Sequence, residues 1–141
     1  NCDAYLKQLS GLDEQFAETI EAAQKDTILV ADRFPFLYLV KDYGLNYYAA
    51  FSGCSAETES SFETITFLMG KVDELGLKSV LVIENSDHRL AETVVRNTEA
   101  HNQEILVLNS LQSITEKEIE NGVTYLSIME DNLEVLEKAL N

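Results

Sequence analysis

Carboxylates, amides and one guanidinium recur in this chain directly after short apolar runs, and that placement is where its chemistry has to be sought. Asp32 and Arg33 follow the run 28–31. Ser52, Cys54, Glu57 and Glu59 follow 47–51. Glu84, Asn85 and Asp87, with His88 one residue further, follow 79–83, and Asn109 and Ser110 follow 105–108. Oxygen donors of this kind are hard ligands suited to a divalent cation, and Asp32, Glu57, Glu59, Glu84 and Asn109 are the candidates. Arg33 argues the other way, because a fixed guanidinium beside a metal must itself be neutralised. It can do so by holding a carboxylate in place from behind. Each carboxylate also has an ordinary role open to it: Asp32 can pair with Arg33 or cap a helix at Pro35.

Several enzyme chemistries have no footing in the sequence. No G-x-G-x-x-G and no G-x-x-x-x-G-K-[ST] is present to cradle a pyrophosphate, and no G-x-S-x-G elbow presents a serine. Ser52 and Cys54 have no histidine tied to them by a known pattern, and His88 is the one histidine that can come near Cys54. His101 falls in the loop before the fourth strand, at the opposite edge, and reads as a surface histidine.

The elements that must position these groups alternate in type. Residues 3–24 carry Tyr5, Leu9, Leu12, Phe16 and Ile20 at spacings of three and four, the stripe of an amphipathic helix. At about 20 residues it would span ~30 Å, more than one small sheet needs, so it is expected to brace something outside this chain. A buried strand follows over 27–31. Pro35, the only proline, then opens a helix to about Asp42, with Gly44 as its left-handed cap. The second strand covers 47–51. Ser60 and Glu63 have capping-box spacing for the next helix, which shows Phe62, Ile65, Met69 and Val72 on one face and stops at Gly76. The third strand, 79–83, is apolar throughout and should be buried on both faces. A helix over 88–99 buries Leu90, Ala91, Val94 and Val95, and a fourth strand covers 105–108. Residues 109–122 form a loop with a helical turn at 115–120. A final helix, capped by Thr124, turns Leu126, Met129, Leu133, Leu136 and Leu140 to the core. Strands alternating with crossover helices predict an α/β fold: a four-stranded parallel sheet sandwiched by helices, with right-handed crossovers, preceded by the long helix. The alternation does not fix the strand order; the order expected is 2-1-3-4, the flavodoxin-like half. In such sheets ligands meet the carboxyl ends of the strands, where strand order reverses.

The totals set outer bounds. The chain has 141 residues, one domain's worth, with 45% hydrophobic and 25% charged residues, ordinary for a soluble globular protein. Ten basic and 25 acidic residues give a net charge of −15, which repels phosphate backbones and argues against nucleic acid as a partner. No apolar run approaches the roughly 18 residues of a membrane span. A chain that opens on Asn1, directly in a helical pattern, is expected to be a processed or excised piece. Cys2 and Cys54, with no C-x-x-C and no zinc-knuckle spacing, are expected to be free thiols.

Four segments carry a resemblance. Phe36-Leu-Tyr38 through Tyr43-Gly-Leu45 matches a strand–helix signature that reads H-D-A-F-x-Y and then Y-G-L. Cys54-Ser-Ala-Glu-Thr-Glu-Ser-Ser61 resembles a loop S-x-E-x-E-P-S. Glu84-Asn-Ser-Asp-His-Arg-Leu-Ala-Glu-Thr93 echoes E-P-x-x-S-x-x-L-A-E-T. The end of the chain, from Tyr125-Leu through Met129, Asn132-Leu, Leu136 and Ala139-Leu140, follows Y-L-x-x-M-x-x-N-L-x-x-L-x-x-A-L. In this order the segments resemble the metal-binding lipoproteins of bacterial zinc and manganese ABC importers, the cluster that includes the adhesin lipoproteins. The likeness covers nearly the whole chain and is to their second half: a long connecting helix (1–25) and the C-terminal lobe (26–141).

The resemblance implies a non-catalytic receptor outside the cell, anchored at the outer face of the cytoplasmic membrane or held in the periplasm through an N-terminal segment not in this chain. It would hand Zn²⁺ or Mn²⁺ to an ABC permease. It also implies an ion clasped between two lobes, with two ligands from an N-terminal lobe this chain lacks and two from the tips of strands one and four. Those places fall here at Asp32-Arg33 and Asn109. Neither holds a histidine, so Asp32 is the carboxylate substitute and Asn109 the amide donor. Arg33, Glu57, Glu59 and Glu84 stand behind or beside them. Oxygen donors favour Mn²⁺ on softness grounds, and ligands from the other lobe can reverse that preference. The chain alone, with half a coordination shell, is expected to hold no metal. Two other readings stay open: the same fold clamping a small anionic solute through Arg33, and a small α/β enzyme or regulatory domain.

Overall fold

Apolar runs buried on two sides need cover on two sides, and the chain supplies it. The computed structural model describes residues 1–51 and 60–141. Its elements run α1 (Cys2–Ala22), β1 (Thr27–Arg33), α2 (Leu37–Asp42), β2 (Asn46–Phe51), α3 (Phe62–Leu75), β3 (Ser79–Ile83), α4 (Arg89–Asn97), β4 (Glu104–Leu108), α5 (Glu116–Glu120) and α6 (Tyr125–Leu140). The four strands are all parallel, in the order β2-β1-β3-β4. Alternate residues sort onto two faces. Ile28, Val30, Leu81, Ile83, Leu106 and Leu108 pack with Leu12 and Phe16 of α1 and with Met129, Leu136 and Leu140 of α6. Leu29, Ala31, Val80 and Val82 pack with Leu68 and Val72 of α3 and Ala91 and Val94 of α4. All five residues of β3 are buried, as a strand covered on both faces requires.

The joints differ from the sequence reading at three points. β1 does not stop at residue 31 but carries through Asp32 to Arg33. Between Val30 and Arg33 its register against β2 shifts, three steps on β1 facing two on β2 from Ala49 to Phe51. The extra residue is a bulge, a device that bends a strand and re-aims its side chains. Pro35 consequently lies before α2. That helix starts at Leu37 with Phe36 as its N-cap and no side-chain cap bond, so Asp32 does not cap it. Phe34 instead stacks on Tyr47 with ring centroids 3.9 Å apart and meets Phe36 edge-on. At α3 the cap is Ser61, whose hydroxyl accepts from the Thr64 N–H, one residue past the predicted Ser60–Glu63 box. Phe62 then faces solvent, while Leu68 and Val72 hold the buried stripe. The helical turn expected at 115–120 is α5, and it carries a capping box between Thr115 and Glu118. Gly44 and Gly76 end α2 and α3 at φ of 69° and 60°, the left-handed region where a side chain is penalised. Cys2 is a free, exposed thiol, whereas Cys54 lies outside the described residues.

The long helix is anchored by its C-terminal half. Phe16 is 1% exposed and stacks on Tyr43 at 5.3 Å, just after α2. The Tyr43 hydroxyl donates to Asp13 Oδ1 at 2.6 Å, so one aromatic residue ties α1 to the sheet through packing and a charge-assisted hydrogen bond. Residues 1–8 are all exposed, the large apolar side chains of Tyr5 and Leu6 among them.

Burial, the hydrogen bond to Asp13 and that carboxylate's charge all push the Tyr43 phenol well above its ordinary value of 10.0. A proton held more tightly in the folded than in the unfolded state stabilises fully below the unfolded value and is lost as pH rises through and beyond it. Tyr43→Phe should therefore flatten the fall in urea midpoint above about pH 10, and at neutral pH should cost about 0.5–1.5 kcal/mol for the lost hydrogen bond. An alkaline slope identical in the variant and the wild type would remove Tyr43 from that transition.

Candidate functional site

A 2-1-3-4 strand order reverses between β1 and β3, and a crevice opens there. Leu81 pairs with Leu106 and Ile83 with Leu108, so Glu84 and Asn109 leave the carboxyl edge at one level, while the bulge brings Arg33 level with Phe51 at the end of β2. The crevice has a volume of about 220 Å³ and is bordered by Asp32, Arg33, Asn85, Ser86 and Asp87 above a floor that includes Ala31 and Leu90. Asp32 accepts the Arg33 backbone N–H at 2.8 Å and lies 3.8 Å from its Nε. Of the two ordinary roles open to Asp32 in the sequence, the structure realises the pairing. The Arg33 side chain remains 44% exposed against 15% for Asp32, which leaves the guanidinium accessible at the rim.

The turn after β3 forms the opposite wall. Ser86 Oγ accepts the His88 N–H at 3.1 Å and Asp87 Oδ1 the Arg89 N–H at 3.1 Å, while Asn85 and His88 take φ of 60° and 62°. Ser86 and Asp87 thus satisfy donors at the start of α4, where a negative group also meets the positive end of the helix. His88 is the backbone N-cap, and its side chain makes no cap bond.

Asn109 and Glu84, the other candidates at this edge, do not line the crevice but belong to a second cluster beside it. Asn132, 2% exposed on α6, accepts the Asn109 N–H at 2.8 Å and donates to the Asn109 carbonyl at 2.9 Å. Asn109 Oδ1 accepts the Leu111 N–H at 2.8 Å. Glu84 Oε2 accepts the Ser110 N–H at 2.8 Å, and Oε1 accepts the Ser110 hydroxyl. The six site candidates therefore divide: Asp32 and Arg33 together, Glu84 and Asn109 together through Ser110, and Glu57 and Glu59 outside the described residues. His101 is exposed in the loop before β4, as expected. Among the described residues, no three His, Cys, Asp or Glu side chains converge as a metal-ligand group.

Asn132 is the residue the sequence reading passed over. It lies three residues after Met129 and four before Leu136, on the buried stripe of α6, where an amide is out of place unless both its ends are bonded. That mismatch was the available signal. Asn132→Ala strands the Asn109 N–H and carbonyl and should lower unfolding free energy by about 1–3 kcal/mol in urea, while Glu134→Ala on the exposed face of the same helix stays within about 0.5 kcal/mol. Equal effects at the two positions would show that water replaces the Asn132 amide.

Known proteins share this architecture. The family model described as "Zinc-uptake complex component A periplasmic" matches residues 1–139. The zinc-binding lipoprotein AdcA of Streptococcus pneumoniae is 33% identical over 98% of this chain and 26% of its own length. The high-affinity zinc uptake system protein ZnuA of Bacillus subtilis is 28% identical over 99% of this chain and 42% of its own. Among solved structures, the Zn(II)-bound ZnuA-like domain of S. pneumoniae AdcA superposes with a TM-score of 0.74 at 33% identity, covering 98% of this chain and 50% of that one. The chain thus spans between a quarter and a half of the length of these relatives. With a family match across almost its full length and a sheet of the same order and cover, the chain belongs to the family of periplasmic zinc-uptake component A proteins.

Proposed function

We propose that this chain is the C-terminal lobe, with its connecting helix, of the solute-binding component of a divalent-metal ABC importer. Residues 1–25 link it to an N-terminal lobe, and residues 26–141 supply one wall of the metal cleft. The carrying observation is the 33% identity, over 98% of the chain, to a domain solved with Zn(II) bound. Zinc is the cargo this favours, with Mn²⁺ second. Asp32 and Asn109 are the donors from this wall: Asp32 sits at the crevice rim and Asn109 keeps a lone pair on an oxygen that already accepts from Leu111. Arg33, Glu57, Glu59 and Glu84 flank them. The task is capture and release, with no covalent step. The partners are the other lobe and a membrane permease, and the place of work is outside the cytoplasmic membrane.

A second reading rests on Arg33. Its guanidinium is partly exposed beside the 220 Å³ crevice with Asp32 at 3.8 Å, an arrangement that can also receive a small carboxylate.

Two measurements on the full-length protein separate these. Zinc at saturating concentration should raise Tm through mass action, and Asp32→Ala should weaken zinc by about 10–100-fold, the scale on which metal sites respond to a lost partner. Unchanged affinity takes Asp32 out of the ligand set. A Tm that ignores zinc and manganese but rises with a small dicarboxylate, and does so only while Arg33 is intact, replaces the cation reading with the anion one.

A further inference from the structure

The bonds around Ser110 are more than a loop needs to leave a sheet. Three consecutive residues after β4 are each held by a side chain. Asn132, from α6, takes both backbone groups of Asn109. Glu84, at the tip of the neighbouring strand, takes the backbone N–H and the hydroxyl of Ser110, one on each carboxylate oxygen. Asn109 itself takes the Leu111 N–H. Leu111 sits at φ 63°, a left-handed conformation that costs a residue with a β-carbon and persists only where its surroundings over-determine it. Leu111 also packs against the α1/α6 core, so the backbone is pinned from below as well as from the side.

We propose that Glu84 is a positioning residue for the cleft and not a ligand: it fixes the turn 109–111, and so the Asn109 amide oxygen, in advance of the cargo. The inference rests on the metal-cleft reading given above. Its geometric ground is that Glu84 directs both oxygens to one residue of the adjacent tip, the backbone N–H and the hydroxyl of Ser110, next to Asn109. Each oxygen keeps a further lone pair, but both are aimed at the neighbouring tip, and what they hold there is the turn that carries Asn109. With Asn132 it places one clamp on either side of the Asn109–Ser110 peptide. Donors held in this way lose little freedom on binding, which is the benefit of pre-organisation.

The test turns on Glu84→Gln. A carboxamide can accept the Ser110 N–H on its oxygen and donate an N–H to the Ser110 hydroxyl, so it keeps the clamp while discarding the charge and most of the ligand strength. In full-length protein titrated with zinc against a competing chelator, Glu84→Gln should stay within about threefold of wild type, and Glu84→Ala should weaken zinc by about 10–100-fold. Hydrogen exchange at Leu111, read in zinc-free protein, should accelerate in Glu84→Ala and not in Glu84→Gln. Ser110→Ala, which removes only the hydroxyl, serves as the milder break should Glu84→Ala fail to fold, with weakening between the two. Glu84→Gln as weak as Glu84→Ala, with exchange unchanged, overturns the proposal in favour of a charge or ligand role. Unchanged zinc affinity in both Glu84→Ala and Ser110→Ala overturns it in favour of a merely local contact. A wild type that takes no zinc overturns the cargo reading and with it the role in zinc binding, and the exchange pattern then upholds or overturns the clamp by itself.

Discussion

Burial of the sheet on both faces is the constraint from which the rest of this structure follows. β3 has no exposed residue, and β1 is buried from Thr27 to Ala31. Strands of that kind are stable only between two helical layers, and two layers require crossovers that bring every strand back in the same direction. All four strands therefore end at one edge, and the polar residues at the ends of β1, β3 and β4 emerge there. The convergence of Asp32, Arg33, Glu84 and Asn109 at that edge is a consequence of hydrophobic burial before it is a feature of any site. What distinguishes a site from a sheet edge is how the polar groups are then used, and here they are used in two different ways.

At the β1 tip the pairing is loose. An ion pair with one partner 44% exposed contributes about 0–1 kcal/mol, so a ligand can displace it at little cost. The bulge between Val30 and Arg33 lies next to this pair and alters the course of β1 where it opens toward the crevice. At the β4 tip the pairing is tight, with Asn132 and Glu84 contributing side-chain bonds to consecutive peptides. One wall of the crevice thus carries charge that can be exchanged, and the neighbouring tip carries oxygen that cannot wander. The chain as a whole carries a net charge of −15, which draws cations toward its surface.

The α/β class and most element bounds were legible because they depend on hydrophobic runs and their spacing, which one sequence displays; the strand order does not depend on them, and β2-β1-β3-β4 agrees with an order chosen among those the alternation allows. β3 and the capped start of α6 at Thr124 agree residue for residue with that reading. The joints were less legible. A proline marks the end of a strand, yet Pro35 could not say that β1 continues to Arg33, because the bulge depends on the register of β2. Ser60 and Ser61 offer the same hydroxyl one residue apart, and the choice of Ser61 rests on the packing of Leu68 and Val72, which a pattern sees only within a residue or two. Asn132 showed only as an amide out of place on an apolar stripe, without its role. Its partner is the backbone of Asn109, 23 residues away, and a backbone group leaves no trace in residue identity. Glu84 was visible as a carboxylate, but its use was not, since that use is defined by the Ser110 N–H and hydroxyl.

On the proposed metal-cleft reading, the same distinction explains why half a cleft can be specific without being sufficient. Zinc in proteins takes about four ligands in a tetrahedron, and among the described residues no three His, Cys, Asp or Glu side chains gather at one point. A wall that supplies only part of a coordination shell cannot rely on the ion to organise it, because the ion is not held until the opposing surface arrives. Its donors must already be in place. Side chains free to rotate would each lose roughly 0.5–1.5 kcal/mol of freedom on closure. Asn109, gripped at both backbone groups by a residue 2% exposed and carrying its own amide across to Leu111, has lost that freedom during folding. The free energy of ordering this edge is thus met by the hydrophobic core that buries Asn132, so that in the proposed cleft the packing of α6 against the sheet would help set how tightly cargo is held.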